Sequence, residues 1–193
     1  MHSDAAIDGD PLPPGQVWAI SPGGPDAEPG LYRIEVTSGP GGGVKILNTP
    51  APPDFRESVK VGEQNLYTQS KQIVGDRDLQ AHEFSIQMRA LDNDRSGVDL
   101  GLPVLMALAS ALLERSTKGG LIVMGPLNLG GSIEMLSNAV ALAEVGVEKQ
   151  AHTLLMPVSA RRQLDDLPDE LWTKINIEFY SDAPEAFFKA VLD

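Results

Sequence analysis

The sequence predicts an α/β layered domain (α+β in its first half): a β-hairpin-rich N-terminal part followed by alternating strands and helices. Three observations carry this. Residues 94–113 (DRSGVDLGLPVLMALASALL) form the longest apolar run and follow a polar glycine turn, the layout of a turn delivering a buried helix. Short apolar runs then alternate with helix-like segments to the C-terminus. Before them, short strand-like runs are separated by Gly/Pro turns. There is no internal repeat.

Residues 1–15 read as a disordered linker or vector-derived remnant, and residues 16–193 as one domain. Residues 1–30 hold Asp4, Asp8, Asp10, Asp26 and Glu28 with no Lys or Arg. The Met-His start before linker-like sequence suggests a domain cut from a longer protein. Residues 17–20 are a short strand. In residues 31–36, Tyr32, Ile34 and Val36 alternate with Leu31, Arg33 and Glu35, the period of a half-buried strand. After the GPGGG turn, residues 44–47 are expected to return as its hairpin partner.

Residues 54–73 are the first helix, with Asp54 as cap and Glu57 as its capping-box partner. Residues 83–90 alternate as a strand and lead through LDNDRSG into the apolar helix. Pro103 belongs in that helix's first turn, which puts Asp99 at or near the N-cap. Residues 121–124 are a strand, and residues 135–145 a helix closed by Gly146. Residues 153–156 are a strand, Ser159 caps a charged helix, and residues 175–180 are the last strand. Asp182 and Glu185 form a capping box for the C-terminal helix.

With 193 residues, 42% of them hydrophobic, the chain can bury a sizeable core. Without cysteine it has no disulfide, thiol nucleophile or Cys-based zinc site. His2, His82 and His152 are too scattered for a metal site. No signal pattern or membrane-length apolar run is present, so a soluble, cytoplasmic protein is expected. A net charge of −12 argues against direct nucleic-acid binding by this segment. The glycine run at residues 39–43 lacks the Lys-Ser/Thr ending of a phosphate loop, and no GxxxxGK[ST] occurs in the chain.

The order of elements resembles the proteolytic domain of Lon-type ATP-dependent proteases from about residue 30 to the C-terminus. LYRIEVTSGPGGGVKI, RESVKVGEQNLYT, SGVDLGLPVLMALASALL and the segment from LIVMGPLNLGGS to HTLLMP carry the likeness. That family uses a Ser–Lys dyad: a serine in a Gly-Pro-Ser-Ala-Gly turn, and a lysine after a Pro-Ile-Gly-Gly turn. The resemblance places the serine on Asp99 and the lysine on Leu142, separated by 142 − 99 = 43 residues.

A dyad needs a hydroxyl to attack and an amine to take its proton. Leu142 accepts no proton, and an Asp99 carboxylate repels an oxyanion. No catalytic residue is therefore expected. Ser96 is the fallback nucleophile, three residues before the expected place. Ser137, Lys149 and His152 read as cap, surface charge and ordinary histidine. No Gly-x-Ser-x-Gly elbow occurs.

NIEFYSDAPEAFFKAVLD, GPLNLGGSI and LDNDRSGVDLGLP further resemble the C-terminal domain of the BrxL family, the Lon-related AAA+ proteins of BREX phage-defence systems. That resemblance implies a C-terminal domain of a larger ring-forming ATPase. The domain would be proteolytically inactive and serve in homo-oligomeric assembly or in docking other defence proteins. No cofactor is then expected in this segment. ATP and Mg belong to an ATPase region outside it. The alternative is an active Lon-family serine peptidase with Ser96 as a relocated nucleophile.

Overall fold

The structure, a computed structural model, describes residues 6–23 and 28–192. Its frame is one mixed sheet of β1 (Gln16–Ser21), β2 (Gly30–Pro40), β3 (Gly43–Ile46), β4 (His82–Ala90), β5 (Leu121–Val123), β6 (Thr153–Pro157) and β7 (Asn176–Tyr180), ordered β3-β4-β2-β1-β5-β6-β7. The hairpin half is antiparallel through β1–β2 and β2–β4, whereas β1–β5, β5–β6 and β6–β7 are parallel. The predicted change from hairpins to alternating strands and helices is thus a change in strand direction within a single sheet.

Side chains alternate across a strand, so each face of the sheet collects its own core. Val17, Ala19, Tyr32, Ile34 and Val123 face one core; Trp18, Ile20, Leu31, Ile122 and Met124 face the other. The first core is covered by α1 (Pro53–Thr68), α3 (Gly101–Leu113) and α6 (Ala183–Ala190). The second is covered by α4 (Ala139–Glu148) and the 3₁₀ helix Val158–Asp166. Two four-residue helices, α2 (Ser70–Ile73) and α5 (Asp169–Trp172), complete the set.

The apolar run forms α3 as expected, and nearly every residue of it is buried. A helix apolar on all sides needs cover on all sides. α3 lies between the sheet and α1, and the crossing is close because glycines face it. A Cβ on Gly62 would stand 2.7 Å from Val104 Cγ1 and 3.0 Å from the Gly101 carbonyl oxygen.

Several expectations need correction. Residues 44–47 do not pair with β2. Instead β3 runs parallel to β4, because β4 fills that edge of β2 from Tyr32 to Pro40. The helix expected over residues 54–73 breaks at Gln69, and its N-cap is Pro52, with no side-chain cap bond from Asp54. α4 starts and ends later than predicted, with Gly146 inside it. A Cβ there would meet Leu154 at 2.7 Å, so this glycine serves close packing on β6 and not a helix end. Ser159 caps nothing, since Pro157 precedes the 3₁₀ helix without a side-chain bond.

Residues 1–5 of the expected linker lie outside the described residues. Residues 6–15, however, pack on the domain: Ile7 is 4% exposed within the second core, and its N–H donates to the Lys149 carbonyl at 2.9 Å. Asp182 caps the last helix as expected, accepting the Glu185 N–H at 2.9 Å, but Glu185 reaches back to the Ser181 N–H at 2.6 Å, one residue before the cap, and not to that of Asp182 itself. No helix of the described residues is long and apolar enough to cross a membrane.

Candidate functional site

The glycine turn before α3 is fastened from three sides. Tyr32 donates its hydroxyl to the Asp94 carbonyl at 2.8 Å and accepts the Gly97 N–H at 3.3 Å. Ser21, at the end of β1, donates to the Val98 carbonyl at 2.7 Å. Ser58, buried on α1, donates to the Gly97 carbonyl and accepts the Leu100 N–H, both at 3.1 Å. Gly97 lies at φ +69°, and a Cβ there would stand 2.5 Å from Met88 Sδ and 3.0 Å from Phe55 Cβ, so a side chain would strain the backbone and force its neighbours to shift. Burial pushes the Tyr32 phenol well above its ordinary pKa, which keeps the hydroxyl a donor.

Asp99 stands at the tip of this turn in the left-handed region, at φ +56°. It is not the helix cap. Leu100 occupies that position, and no side chain caps α3. Asp99 instead borders a cavity of about 90 Å³ lined also by Asp54, Glu57 and Ser58 of α1 and by Leu127. Desolvation at this lining, then the negative charges of Glu134, Asp54 and Glu57, push the Asp99 carboxyl above the usual aspartate range.

The far wall of the cavity is the loop after β5. An isolated bridge between Leu127 and Ile133 folds it into a turn. Asn65, fully buried on α1, donates to the Asn128 carbonyl at 2.9 Å and so anchors that turn. α1 therefore holds both walls, through Ser58 and through Asn65.

The two dyad-equivalent positions are not brought together. Leu142 is fully buried in the second core, on the opposite face of the sheet from α3. The residue of this region whose charge reaches Asp99 is Glu134. Ser96 Oγ lies 3.1 Å from Asp94 Oδ2, while Asp94 Oδ1 accepts the Ser96 N–H at 3.2 Å. Ser137 is exposed before α4, whose N-cap is Asn138, without a side-chain bond. His152 is exposed, its ring against Gly9 and Gly120.

Lys149 corrects the reading as a surface charge. It is 0% exposed and pairs with Asp92 at 2.6 Å. Asp92 accepts the Leu31 N–H through its other oxygen at 2.8 Å. Neither this pair nor the roles of Ser58 and Asn65 announce themselves in the sequence, since each joins residues far apart in the chain.

The chemistry available at the corner is limited. The Ser58 hydroxyl is engaged as donor and acceptor, and among the described residues no lysine or arginine lines the cavity. An oxyanion hole commonly uses the N–H of the residue following the nucleophile. Here that residue is Leu100, and its N–H is already bonded to Ser58. Among the described residues, no group of three or more His, Asp or Glu could hold a metal ion.

A mixed sheet carrying a glycine turn into a buried helix, with a second glycine turn beside it, is consistent with a Lon-protease-like fold, and the chain is similar in sequence to Lon-like proteases over most of its length. The chain is 28% identical to the Lon-like protease BrxL of Escherichia coli O9:H4 (strain HS), over 84% of this chain and 24% of that protein. Against the Lon-like protease BrxL of Bacillus cereus (strain H3081.97) the identity is 25%, over 92% of this chain and 26% of the relative. Against the Lon protease of Malacoplasma penetrans (strain HF-2) it is 26%, over 82% and 21%. The chain therefore spans about a quarter of the length of the curated relatives it matches. No family model matches it.

The raised Asp99 pKa has a definite sign in stability. Between the unfolded value of 3.8 and the folded one, the folded state binds more protons. Stability therefore falls as pH rises through that window, and the cost of the charge is fully present above it. Asp99→Asn removes the charge and keeps a side chain tolerant of positive φ. Asp99 borders the cavity but is itself exposed to solvent, so screening limits the expected gain at pH 7 to about 0.5 kcal/mol, or about 1–2 °C in Tm. Thermal melts should show the gain shrinking toward zero as pH falls through the folded pKa; a variant less stable than the parent at pH 7 would contradict it.

Proposed function

We propose that this chain is the C-terminal Lon-like domain of a longer AAA+ ATPase of the BrxL kind, acting in cytoplasmic BREX phage defence without peptidase activity. The observation that carries the reading is the corner itself. Its turn tip is a carboxylate, three more carboxylates bear on it, and among the described residues no amine lines the cavity. A Ser–Lys hydrolase needs the reverse, a hydroxyl beside a neutral amine. The intact core and tightly held turn suit a fold kept for assembly into a homo-oligomeric ring or for docking defence partners. ATP and Mg would bind an ATPase region outside this segment.

The test is casein hydrolysis by the full-length protein with ATP. No cleavage is expected. Cleavage abolished by Asp99→Ala or Ser96→Ala would overturn the reading.

A second reading, an active serine peptidase using Ser96, is favoured by one observation: Asp94 lies 3.1 Å from Ser96 Oγ, within reach for a general base. The same carboxylate accepts the Ser96 backbone N–H, so the pair also satisfies an Asx turn, which is a local loop lock. A fluorophosphonate probe separates the two. The proposal expects no adduct on Ser96, and a labelled Ser96 peptide in a digest would establish the second reading.

A further inference from the structure

We infer that the loop of residues 125–138, with the acidic corner beside it, is a docking surface for a basic peptide segment that also carries apolar side chains. The inference rests on the reading above, that the corner binds without cleaving.

Leu129 and Met135 are 65% and 77% exposed, more than any other large hydrophobic among the described residues. Both sit on this one loop, and the loop is held in place. The Leu127–Ile133 bridge closes its turn, the Asn128 N–H donates to the Ser132 carbonyl at 3.0 Å, and the Glu134 N–H donates to the Pro126 carbonyl at 2.8 Å. Asn65 anchors it to α1 from below. Two apolar side chains presented on a fixed backbone are a contact surface already ordered, so a partner would pay little entropy to use it.

Charge selects the occupant. Leu127, two residues before Leu129, lines the cavity together with Asp54, Glu57 and Asp99. Glu134 immediately precedes Met135, and its charge reaches Asp99. A cationic side chain entering here would relieve repulsion among these carboxylates, and a cavity of about 90 Å³ has room for the end of one lysine or arginine. A second copy of this chain, at a net charge of −12, would bring like charge to the same place. Nucleic acid is disfavoured on the same ground.

The probe is a short fluorescein-labelled peptide alternating Lys and Leu, with Glu/Leu and Lys/Ser peptides of equal length as controls, read by fluorescence anisotropy. The Lys/Leu peptide should bind most tightly. Leu129→Ser/Met135→Ser and, separately, Asp54→Asn/Glu57→Gln should each weaken it by about tenfold or more. Asp165→Asn/Asp166→Asn, on the 3₁₀ helix covering the other face of the sheet, should leave binding unchanged. Equal loss from this distant pair, or no loss from the Leu129/Met135 variant, would reduce the binding to bulk charge and overturn the inference. So would sedimentation showing self-association through Leu129 and Met135 in place of peptide binding. Mass spectrometry of the probe keeps the two readings apart. A cleaved probe sinks the non-peptidase reading, and an intact, unbound one sinks the docking surface.

Discussion

Lys149→Met should destabilise the domain by about 3–5 kcal/mol, the usual result of removing one member of a buried ion pair. The substitution nearly conserves volume, so little of the loss is a cavity. What remains is the Asp92 carboxylate, buried and 2.6 Å from where the ammonium stood. The position is consequential because three segments meet there. The Lys149 carbonyl accepts the Ile7 N–H of the N-terminal arm, and Asp92 accepts the Leu31 N–H at the start of β2. Asp92 also begins the loop that leads to the Asp99 turn. Urea titration of the parent, both single variants and Lys149→Met/Asp92→Asn would measure the coupling. Neutralising Asp92 removes a buried negative charge no longer balanced by the ammonium, so the double variant should be more stable than Lys149→Met alone. A loss below about 1 kcal/mol for Lys149→Met, or a double variant less stable than either single one, would mean that the pair is solvated.

Local signals explain what the sequence revealed and what it concealed. α3 was legible because an apolar run behind a glycine turn needs no distant partner to be recognised, and the same holds for the Asp182 cap of α6. The partner of β3 was hidden because adjacency in the chain favours a hairpin. The nine-residue ladder of β4 on β2 leaves β3 to add beyond it. The site was legible in part. The Asp99 turn does lead into α3, and the glycine loop after β5 borders the same cavity through Leu127. The pairing of Asp99 with Leu142 did not follow, because distance along the chain does not say on which face of a sheet a helix returns. The loop crosses beside α3 at residues 127–134, and α4 then packs on the other face, taking Leu142 with it. Lys149 was misread because it follows a glycine that resembles a helix end. That glycine is instead pressed against Leu154, and the helix runs on to carry the lysine inside.

Gly125→Ala should cost about 3 kcal/mol, at the upper end of ordinary overpacking. Gly125 stands where β5 gives way to the loop that forms the far wall of the acidic corner. A Cβ there would lie 1.7 Å from the Tyr180 hydroxyl oxygen and 3.1 Å from its Cζ. The ring cannot easily retreat, since Tyr180 is almost wholly buried and its hydroxyl donates to the Met124 carbonyl at 2.7 Å. Burial also raises its pKa far above the ordinary tyrosine value, so the group remains a neutral donor at any working pH. Tyr180→Phe alone should cost about 1–2 kcal/mol by leaving the Met124 carbonyl without that donor. In the double variant the missing hydroxyl makes room for the new methyl, so the two losses should sum to more than the double variant shows. A thermodynamic cycle with strictly additive losses would place the Gly125→Ala strain elsewhere. If the strain does fall on the Tyr180 contact, hydrogen exchange in Gly125→Ala should quicken first across residues 124–134, because the loop that presents Leu129 and Met135 is set by this glycine at its root.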